Sequence, residues 1–314
     1  MRIWWRVRTL SMFVVLTLIL VLIGALISVL FLDNIMIGAG LMIILSIMIC
    51  FISYYKSKDL ALRHAKATII SEAENPRLFS IVRDVAGRAG LPMPEIGISP
   101  EMAPNAFATG RNPKNAAVVC TRGILEMLPD DELRGVIAHE MSHIKNRDIL
   151  VMSIASAMAA IVTYFARIMW WIAILSPSDS KDNGSRLALI AAAIAAQILV
   201  PIAAIIIQLG ISRNREYLAD ETGAKIINDP RVLARALDHL EKGNEMVQSY
   251  TLDRISTNTG TRDRNNPAND YDYAHMWIAD PMKKGTLMSR LFSTHPPMSD
   301  RIERLNRMAD KMGL

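Results

Sequence analysis

Four long apolar runs constrain the fold of this chain, and they lie at residues 10–32, 35–55, 149–175 and 187–211. The first run has 23 residues and no charge, so as a helix it would be about 34 Å long, enough to cross a hydrocarbon core of about 30 Å. Hydrophobic residues form 51% of the chain and charged residues 21%, which excludes a disordered chain and disfavours an ordinary soluble enzyme. We therefore expect a multi-pass protein of the lipid bilayer.

Basic residues beside the first pair of runs predict their orientation. Two residues separate these runs, so the segment 1–55 is expected to form an antiparallel membrane hairpin. The residues that flank it are basic on both sides: Arg2, Arg6, Arg8, Lys56, Lys58, Arg63 and Lys66. Because cytoplasmic loops carry an excess of lysine and arginine, the N-terminus and the chain after residue 55 are expected in the cytoplasm.

A second membrane hairpin is predicted at 149–211. Its two runs are joined by a polar, turn-rich segment at 176–186. Arg167 lies within the third run, and a charge at the centre of a membrane costs about 2.5–3.5 kcal/mol. We predict that both runs cross the membrane, and the sequence leaves open that this hairpin only enters it.

The remaining segments, 56–148 and 212–314, lie on one side of the membrane in this arrangement. We therefore expect them to form a single domain that the second hairpin splits, with a mostly α fold and a small β-sheet. Helices are predicted at 76–89, from an Asp130 or Asp131 cap onward towards the third apolar run, and, as a capped amphipathic helix, from Ser299 onward, where packing is the expected role. Strands are predicted at 95–99, 105–109 and 116–121, with a hairpin loop at 110–115. The polar stretch 251–272 is expected to be a mobile loop.

One motif on the second predicted helix indicates metal chemistry. His139 and His143 are four residues apart, so both imidazoles face one side of a helix and can reach one metal ion. Glu140, beside the first histidine, can act as general base toward a metal-bound water. Zinc lowers the pKa of water from 15.7 to about 7, so a carboxylate suffices as the base. The motif is short and recurs by chance, but its place on a capped helix with uncharged variable positions favours a metal site.

A catalytic zinc usually has three protein ligands, so a third must come from elsewhere in the chain. Glu216 and Asp220 follow the fourth apolar run and are again four residues apart. One could bind the metal while the other hydrogen-bonds a ligand histidine. Alternatively, both could pair with Arg213 and Arg215 on a solvated face. Spacing alone leaves both interpretations open.

Taken together, these motifs resemble the HtpX family of membrane zinc metalloproteases, which are relatives of the CAAX prenyl endopeptidases. The family pattern includes the His139–Glu140–x–x–His143 motif and then Glu216–x–x–x–Asp220 after a hydrophobic hairpin. Two N-terminal membrane runs, the segment 105–108 and the segment 294–297 (Thr-His-Pro-Pro) match as well. The resemblance covers most of the chain.

The resemblance implies a zincin-like (gluzincin) catalytic domain, split by a membrane hairpin and holding one Zn²⁺ per chain. It implies that Glu216 is the third zinc ligand and that Asp220 supports the site from outside the ligand set. The implied activity is an endopeptidase of the plasma (inner) membrane that degrades misfolded or damaged membrane proteins in envelope quality control. Its partners would be unfolded or membrane protein substrates, with other membrane quality-control proteases as further candidates.

Two more roles are hypotheses. The strand before the motif helix could pair main chain to main chain with an extended substrate, through Asn105, Ala106, Phe107 and Ala108; the alternative is an ordinary sheet strand. His295 could stabilise the oxyanion that forms when water attacks a carbonyl. A histidine beside two prolines is otherwise a structural turn residue.

Other functions remain as alternatives. A CAAX-type processing protease would need prenylated substrates, and the chain has fewer predicted spans than that branch. A membrane scaffold that binds zinc without turnover would not need Glu140 as a base, so that residue favours an enzyme. Nucleic-acid binding is excluded because the chain has no basic cluster away from its membrane flanks.

Overall fold

The structure is a computed structural model of the chain. It describes residues 58–148, 183–257 and 296–314, together with isolated positions between 7 and 56 and between 151 and 163. Most of the first three predicted spans, Arg167 and His295 therefore lie outside the described residues. Backbone contacts divide the chain into two compact units, one of Met1–Tyr55 and Val151–Ile211 and one of Lys56–Leu150 and Ser212–Leu314.

The second unit contains a four-stranded mixed sheet. Its strands are β1 (Thr68–Ile69), β2 (Glu95–Ser99), β3 (Ala106–Gly110) and β4 (Ala116–Thr121), in the order β1-β2-β4-β3. β2 and β4 are parallel, and the other two pairs are antiparallel. The register Ala106↔Cys120 to Gly110↔Ala116 confirms the predicted hairpin. β4 is buried along its whole length, whereas β3 forms an edge of this sheet.

The first predicted helix is confirmed as α1 (Pro76–Ala89). The Asn75 side chain accepts a hydrogen bond from the Leu78 backbone N–H at 3.0 Å, and Pro76 occupies the first turn, where its missing N–H costs nothing. Gly90 ends the helix in the left-handed conformation, with φ 67°. Local sequence signals therefore fix both ends of α1.

The motif helix follows the short helix α2 (Arg122–Met127) and is α3 (Asp130–Asn146). The predicted Asp130 or Asp131 cap is wrong, because Pro129 is the N-cap and no side chain caps the helix. Both aspartates lie inside the first turn, where their charges interact favourably with the helix dipole. The helix ends at Arg147, which adopts φ 57° and ψ 38°.

The fourth apolar run lies in α4 (Asn183–Ile227), a 45-residue helix that continues through Pro201. Within the part of the chain that is described, the stretch Gln197–Ile227 is long and apolar enough to cross a membrane. This stretch has 31 residues, and its most apolar 18-residue window has a mean hydropathy of 1.4, a criterion of length and composition alone.

Two helices complete the second unit, α5 (Pro230–Thr257) and α6 (Met298–Met312). The prediction of a loop from residue 251 is wrong for 251–257, which are helical; residues 258–272 lie outside the described residues. The helix predicted from Ser299 onward begins at Met298, and the prediction that it is capped is wrong, since Pro297 is the N-cap without a side-chain hydrogen bond. The apolar core of this unit lies among the sheet, α1, α3, α5 and α6, and its buried members include Leu78, Val118, Ile137, Leu237 and Leu305.

Candidate metal centre

Two helices bring three candidate ligand atoms together. His139 and His143 lie on α3, and Glu216 lies on α4. The Nε2 atoms of the two histidines are 3.2 Å apart. The carboxylate of Glu216 lies 3.5 Å from His139 Nε2 and 3.6 Å from His143 Nε2. The predicted histidine pair and the predicted acidic residue thus converge on one point.

The spacing of these atoms fits a small divalent ion. Nitrogen and oxygen ligands bind zinc at about 2.0–2.1 Å in a tetrahedral arrangement, which places the ligand atoms about 3.3 Å from one another. The observed separations of 3.2, 3.5 and 3.6 Å lie close to that value. Two imidazoles and one carboxylate are also a donor set that suits zinc. The residues present therefore fit the metal that the motif predicts.

Close packing of α4 on α3 positions the acidic residues. At Gly223 an added Cβ would lie 2.9 Å from the His139 backbone nitrogen. Because only glycine allows that approach, α4 crosses α3 directly beside the first histidine. Glu216 and Asp220 precede Gly223 on the same helix and face the motif.

Asp220 connects His139 to a buried arginine. His139 Nδ1 lies 2.9 Å from Asp220 Oδ1. Arg301, on α6, donates from Nε to Asp220 Oδ2 at 2.9 Å and from Nη2 to Asp220 Oδ1 at 2.7 Å. Arg301 has 0% of its surface exposed. Both carboxylates, Glu216 and Asp220, are buried, which contradicts the alternative that they form a solvated face with neighbouring arginines.

Arg301 was not among the predicted site residues, because only a packing role was expected for α6. A signal was nevertheless present. The buried side of α6 consists of Met298, Arg301, Leu305 and Ala309, three or four residues apart. An arginine in an apolar stripe is rarely buried unless a carboxylate pairs with it, so its place on that stripe indicates a buried acidic partner.

His143 has a carboxylate of its own. Its Nδ1 lies 2.8 Å from Asp148 Oδ2. The other oxygen of Asp148 pairs with Arg215, and Arg215 also donates to the Asn146 carbonyl at 2.8 Å. Asp148 was not among the predicted site residues.

The carboxylate of Glu140 contacts the edge strand β3. Its Oε2 accepts a hydrogen bond from the Ala108 backbone N–H at 2.7 Å. Burial raises the pKa of Glu140 to about 7, and the charge of Glu216 adds to the rise while His139 opposes it. A carboxyl group with that pKa can exchange a proton near neutral pH.

The pKa values of the two histidines are shifted in opposite directions. Burial alone would lower the pKa of His139, but its contacts with Asp220 and Glu216 outweigh burial and raise this pKa to about 9. For His143 burial dominates and lowers the pKa to about 3, with the charge of Glu216 opposing the fall. Without a metal, the proton shared within this cluster therefore resides on His139.

The other predicted site residues have different outcomes. Asn105 precedes β3 and is buried, with its backbone N–H donating to Thr121 Oγ1 at 2.9 Å. Ala106, Phe107 and Ala108 lie in the edge strand β3. A role for this strand in substrate binding stays a prediction. His295 lies outside the described residues, so its proposed contact with the reacting carbonyl also stays a prediction.

Comparison with known proteins places this arrangement in a family. The chain matches peptidase family M48 over residues 72–309. It belongs to this family. The chain is also 44% identical to a Protease HtpX homolog of Pyrococcus abyssi over 99% of its own length and 98% of the relative's. It is 47% identical to a Protease HtpX homolog of Thermococcus sibiricus over 84% of each chain. These relatives confirm the resemblance to the HtpX family and the prediction of a membrane zinc metallopeptidase.

A solved structure shares the fold. The crystal structure of S. mikatae Ste24p superposes with a TM-score of 0.51 at 18% identity. The match covers 96% of this chain and 65% of that one, so the present chain spans about two thirds of the length of Ste24p. The fold is therefore mostly helical with a small mixed sheet, of the kind seen in Ste24p. The CAAX-type alternative is no better supported by these comparisons than the HtpX assignment.

Proposed function

We propose that this member of family M48 is a membrane zinc endopeptidase whose His139, His143 and Glu216 hold one Zn²⁺ per chain. One observation carries the proposal: the Nε2 atoms of His139 and His143 lie 3.2 Å apart, and each lies 3.5 or 3.6 Å from one oxygen of the Glu216 carboxylate. A divalent ion held there would supply Lewis acidity toward a substrate carbonyl and a water molecule. Metal-assisted peptide hydrolysis combines that acidity with a nearby base.

Glu140 is the base in this proposal. It follows His139 directly, and the charges of His139 and Glu216 both act on its pKa, which indicates that its carboxylate lies near the ligand atoms. It takes a proton from the attacking water and passes it to the departing amine. The hydrogen bond from the Ala108 N–H fixes the orientation of the carboxylate before substrate arrives.

Asp220 and Arg301 orient His139. With a proton on Nδ1, His139 donates to Asp220 and presents Nε2 to the metal. Arg301 neutralises the buried Asp220 charge and keeps it available as an acceptor. These two residues set the tautomer of the ligand and do not contact substrate.

We further propose a multi-pass chain in the plasma (inner) membrane, with a cytoplasmic zincin-like domain formed by 56–148 and 212–314. The apolar N-terminal part of the helix Gln197–Ile227 and the basic flanks of the first hairpin support this topology. HtpX relatives that align over nearly the whole chain support it as well. Segments 1–55 and 149–211 would be the membrane hairpins.

Misfolded or damaged membrane proteins are the proposed substrates, as the resemblance to the HtpX family implies. An unfolded segment would add to the edge of β3 as an extended strand. His295 would donate to the developing oxyanion. Unfolded chains suit this mode because backbone pairing requires an extended segment and tolerates many side chains.

The test is degradation of an unfolded protein by the purified full chain in detergent with zinc. Glu140→Gln serves as the matched variant, because it keeps the size and one acceptor oxygen but cannot take the proton. We expect the wild type to cleave and Glu140→Gln to bind one zinc per chain with at least about a thousandfold lower rate.

Two results would contradict the proposal. Cleavage by Glu140→Gln at the wild-type rate would remove Glu140 from the chemistry. Cleavage of a prenylated peptide but of no unfolded protein would favour the CAAX-type activity.

A further inference from the structure

The second histidine of the motif is held by two residues that the metal-site proposal does not use. We infer that Asp148 and Arg215 are positioning residues for His143, and this inference rests on the proposed zinc site. Asp148 Oδ2 lies 2.8 Å from His143 Nδ1, and 3% of the Asp148 surface is exposed. A proton on Nδ1 that is donated to Asp148 leaves Nε2 free to face Glu216 and the metal.

A sharp turn at the end of α3 brings Asp148 to His143. A continued helix would rotate residue 148 by about 140° away from residue 143, since each residue turns the helix by about 100°. Arg147 breaks the helix by adopting the left-handed conformation, with φ 57°. A residue other than glycine adopts this conformation only at an energetic cost. Its backbone N–H caps the His143 and Ile144 carbonyls, and Asp148 turns back against the motif.

Arg215 balances the charge of the buried Asp148 carboxylate. A buried carboxylate is unfavourable unless an opposite charge and hydrogen bonds compensate it. The guanidinium of Arg215, itself 6% exposed, pairs with Asp148 Oδ1, while Oδ2 faces His143. Arg215 also donates to the Asn146 carbonyl at 2.8 Å, so its position is fixed by the end of α3.

The two ligand histidines therefore have equivalent supports. His139 is backed by Asp220 and Arg301, and His143 is backed by Asp148 and Arg215. In both, the carboxylate uses one oxygen for the imidazole and is neutralised by a buried arginine. Because both imidazoles are supported, both Nε2 atoms point in fixed directions toward the metal. A tetrahedral site that keeps one position open requires its protein ligands to be held in this way.

The test compares metal binding by full-length variants in detergent. Asp148→Ala removes the acceptor, and Asp148→Asn leaves one oxygen for two donors. Asp84→Asn is the matched control, because Asp84 pairs with Arg88 and Arg134 and has no ion pair with a histidine among the described residues. We measure zinc affinity by chelator competition and the visible absorption of the Co²⁺-loaded protein, with circular dichroism to verify folding.

We expect zinc affinity to fall about 10- to 100-fold in Asp148→Ala, less in Asp148→Asn, and not at all in Asp84→Asn. The Co²⁺ absorption bands should shift in the Asp148 variants, because the His143 ligand direction is no longer fixed. A role confined to holding the helix end would instead lower the unfolding temperature and leave affinity and bands unchanged, which would overturn the inference. An Asp148→Ala protein that does not fold would leave Asp148→Asn to decide by the same two measurements.

The outcomes separate this inference from the proposed function. If the wild type binds zinc but cleaves nothing, the proposed function fails while the affinity comparison still decides the role of Asp148. If the wild type cleaves, and if both Asp148 variants bind zinc as tightly as the wild type, the inference fails while the proposed function stands. If the wild type binds no zinc, both fail.

Discussion

Arg301 and Asp220 form a bidentate ion pair between residues that are 81 positions apart in the chain, with donor–acceptor distances of 2.7 and 2.9 Å. Arg301 is fully buried, and one of its terminal nitrogens also lies 3.4 Å from Glu216. The helix α6 therefore does more than pack: it supplies the positive charge that balances two buried carboxylates of the metal centre.

Replacing Arg301 by methionine should destabilise the protein. The substitution keeps the apolar stem but leaves the Asp220 charge buried without compensation, a change that typically costs about 3–5 kcal/mol. We expect a clear fall in the unfolding temperature of the metal-free protein and weaker zinc binding. Arg301→Lys, which keeps the charge but loses the two-pronged geometry, should have a smaller effect. Equal unfolding temperatures for Arg301→Met and the wild type would show that the ion pair is not needed.

Zinc binding should depend on pH through His139. Its pKa is raised to about 9, so at pH 7 the metal must displace one proton from this ligand. His143, with a pKa lowered to about 3, is already neutral. Affinity should therefore rise about tenfold per pH unit from pH 7 and level off above pH 9.

Calorimetry in buffers of different ionisation enthalpy checks this by counting the protons released per zinc, and we expect about one at pH 7.5. The same shift has a consequence for the metal-free protein. A raised histidine pKa contributes stability that is complete below the usual value of 6.5 and is lost as pH rises through about 9. Zinc affinity that does not change with pH, with no proton released, would show that His139 is neutral in the absence of metal.

Gly223→Ala should disturb the site through the helix packing. The added methyl group would lie 2.9 Å from the His139 backbone nitrogen, which cannot move without shifting α3. We expect a loss of about 1–3 kcal/mol in the free energy of unfolding together with weaker zinc binding, since Asp220 and Glu216 would move away from the histidines.

Gly87→Ala on α1 is the matched control, because an added Cβ there meets no atom within 4 Å. Alanine is the better helix former by about 1 kcal/mol, so this variant should unfold at the same or a higher temperature. If Gly223→Ala behaved like Gly87→Ala, close approach of α4 to α3 would not be what positions the ligands.

Local patterns predicted much of the candidate site. The spacing of His139 and His143 requires a shared helix face, and the structure places both on α3 with their Nε2 atoms 3.2 Å apart. The end of α1 at Gly90 and the β3–β4 hairpin also follow from residues within a few positions. These features depend on interactions between residues that are close together in the sequence.

The parts that were missed depend on contacts distant in sequence or on competing local signals. Arg301 belongs to the site because it pairs with Asp220, which is 81 residues away in the chain. Asp148 reaches His143 because the chain turns at Arg147, and no glycine in the sequence indicates that turn. Polar composition at 251–257 indicated a loop, but the stretch contains no proline or glycine, so nothing there ends α5. At the start of α3, Pro129 rather than an aspartate occupies the cap position.

The order of these residues along the chain bears on biosynthesis. The histidines of α3 are translated first, Glu216 follows only after the segment 149–211, and Arg301 comes 81 residues after Asp220. Under the proposed function, a ribosome-bound chain holds two ligands long before it holds the third, and the charge of Asp220 stays unbalanced until α6 emerges. Proteolytic competence would then require synthesis to proceed at least through α6, well after both histidines of the motif have been made.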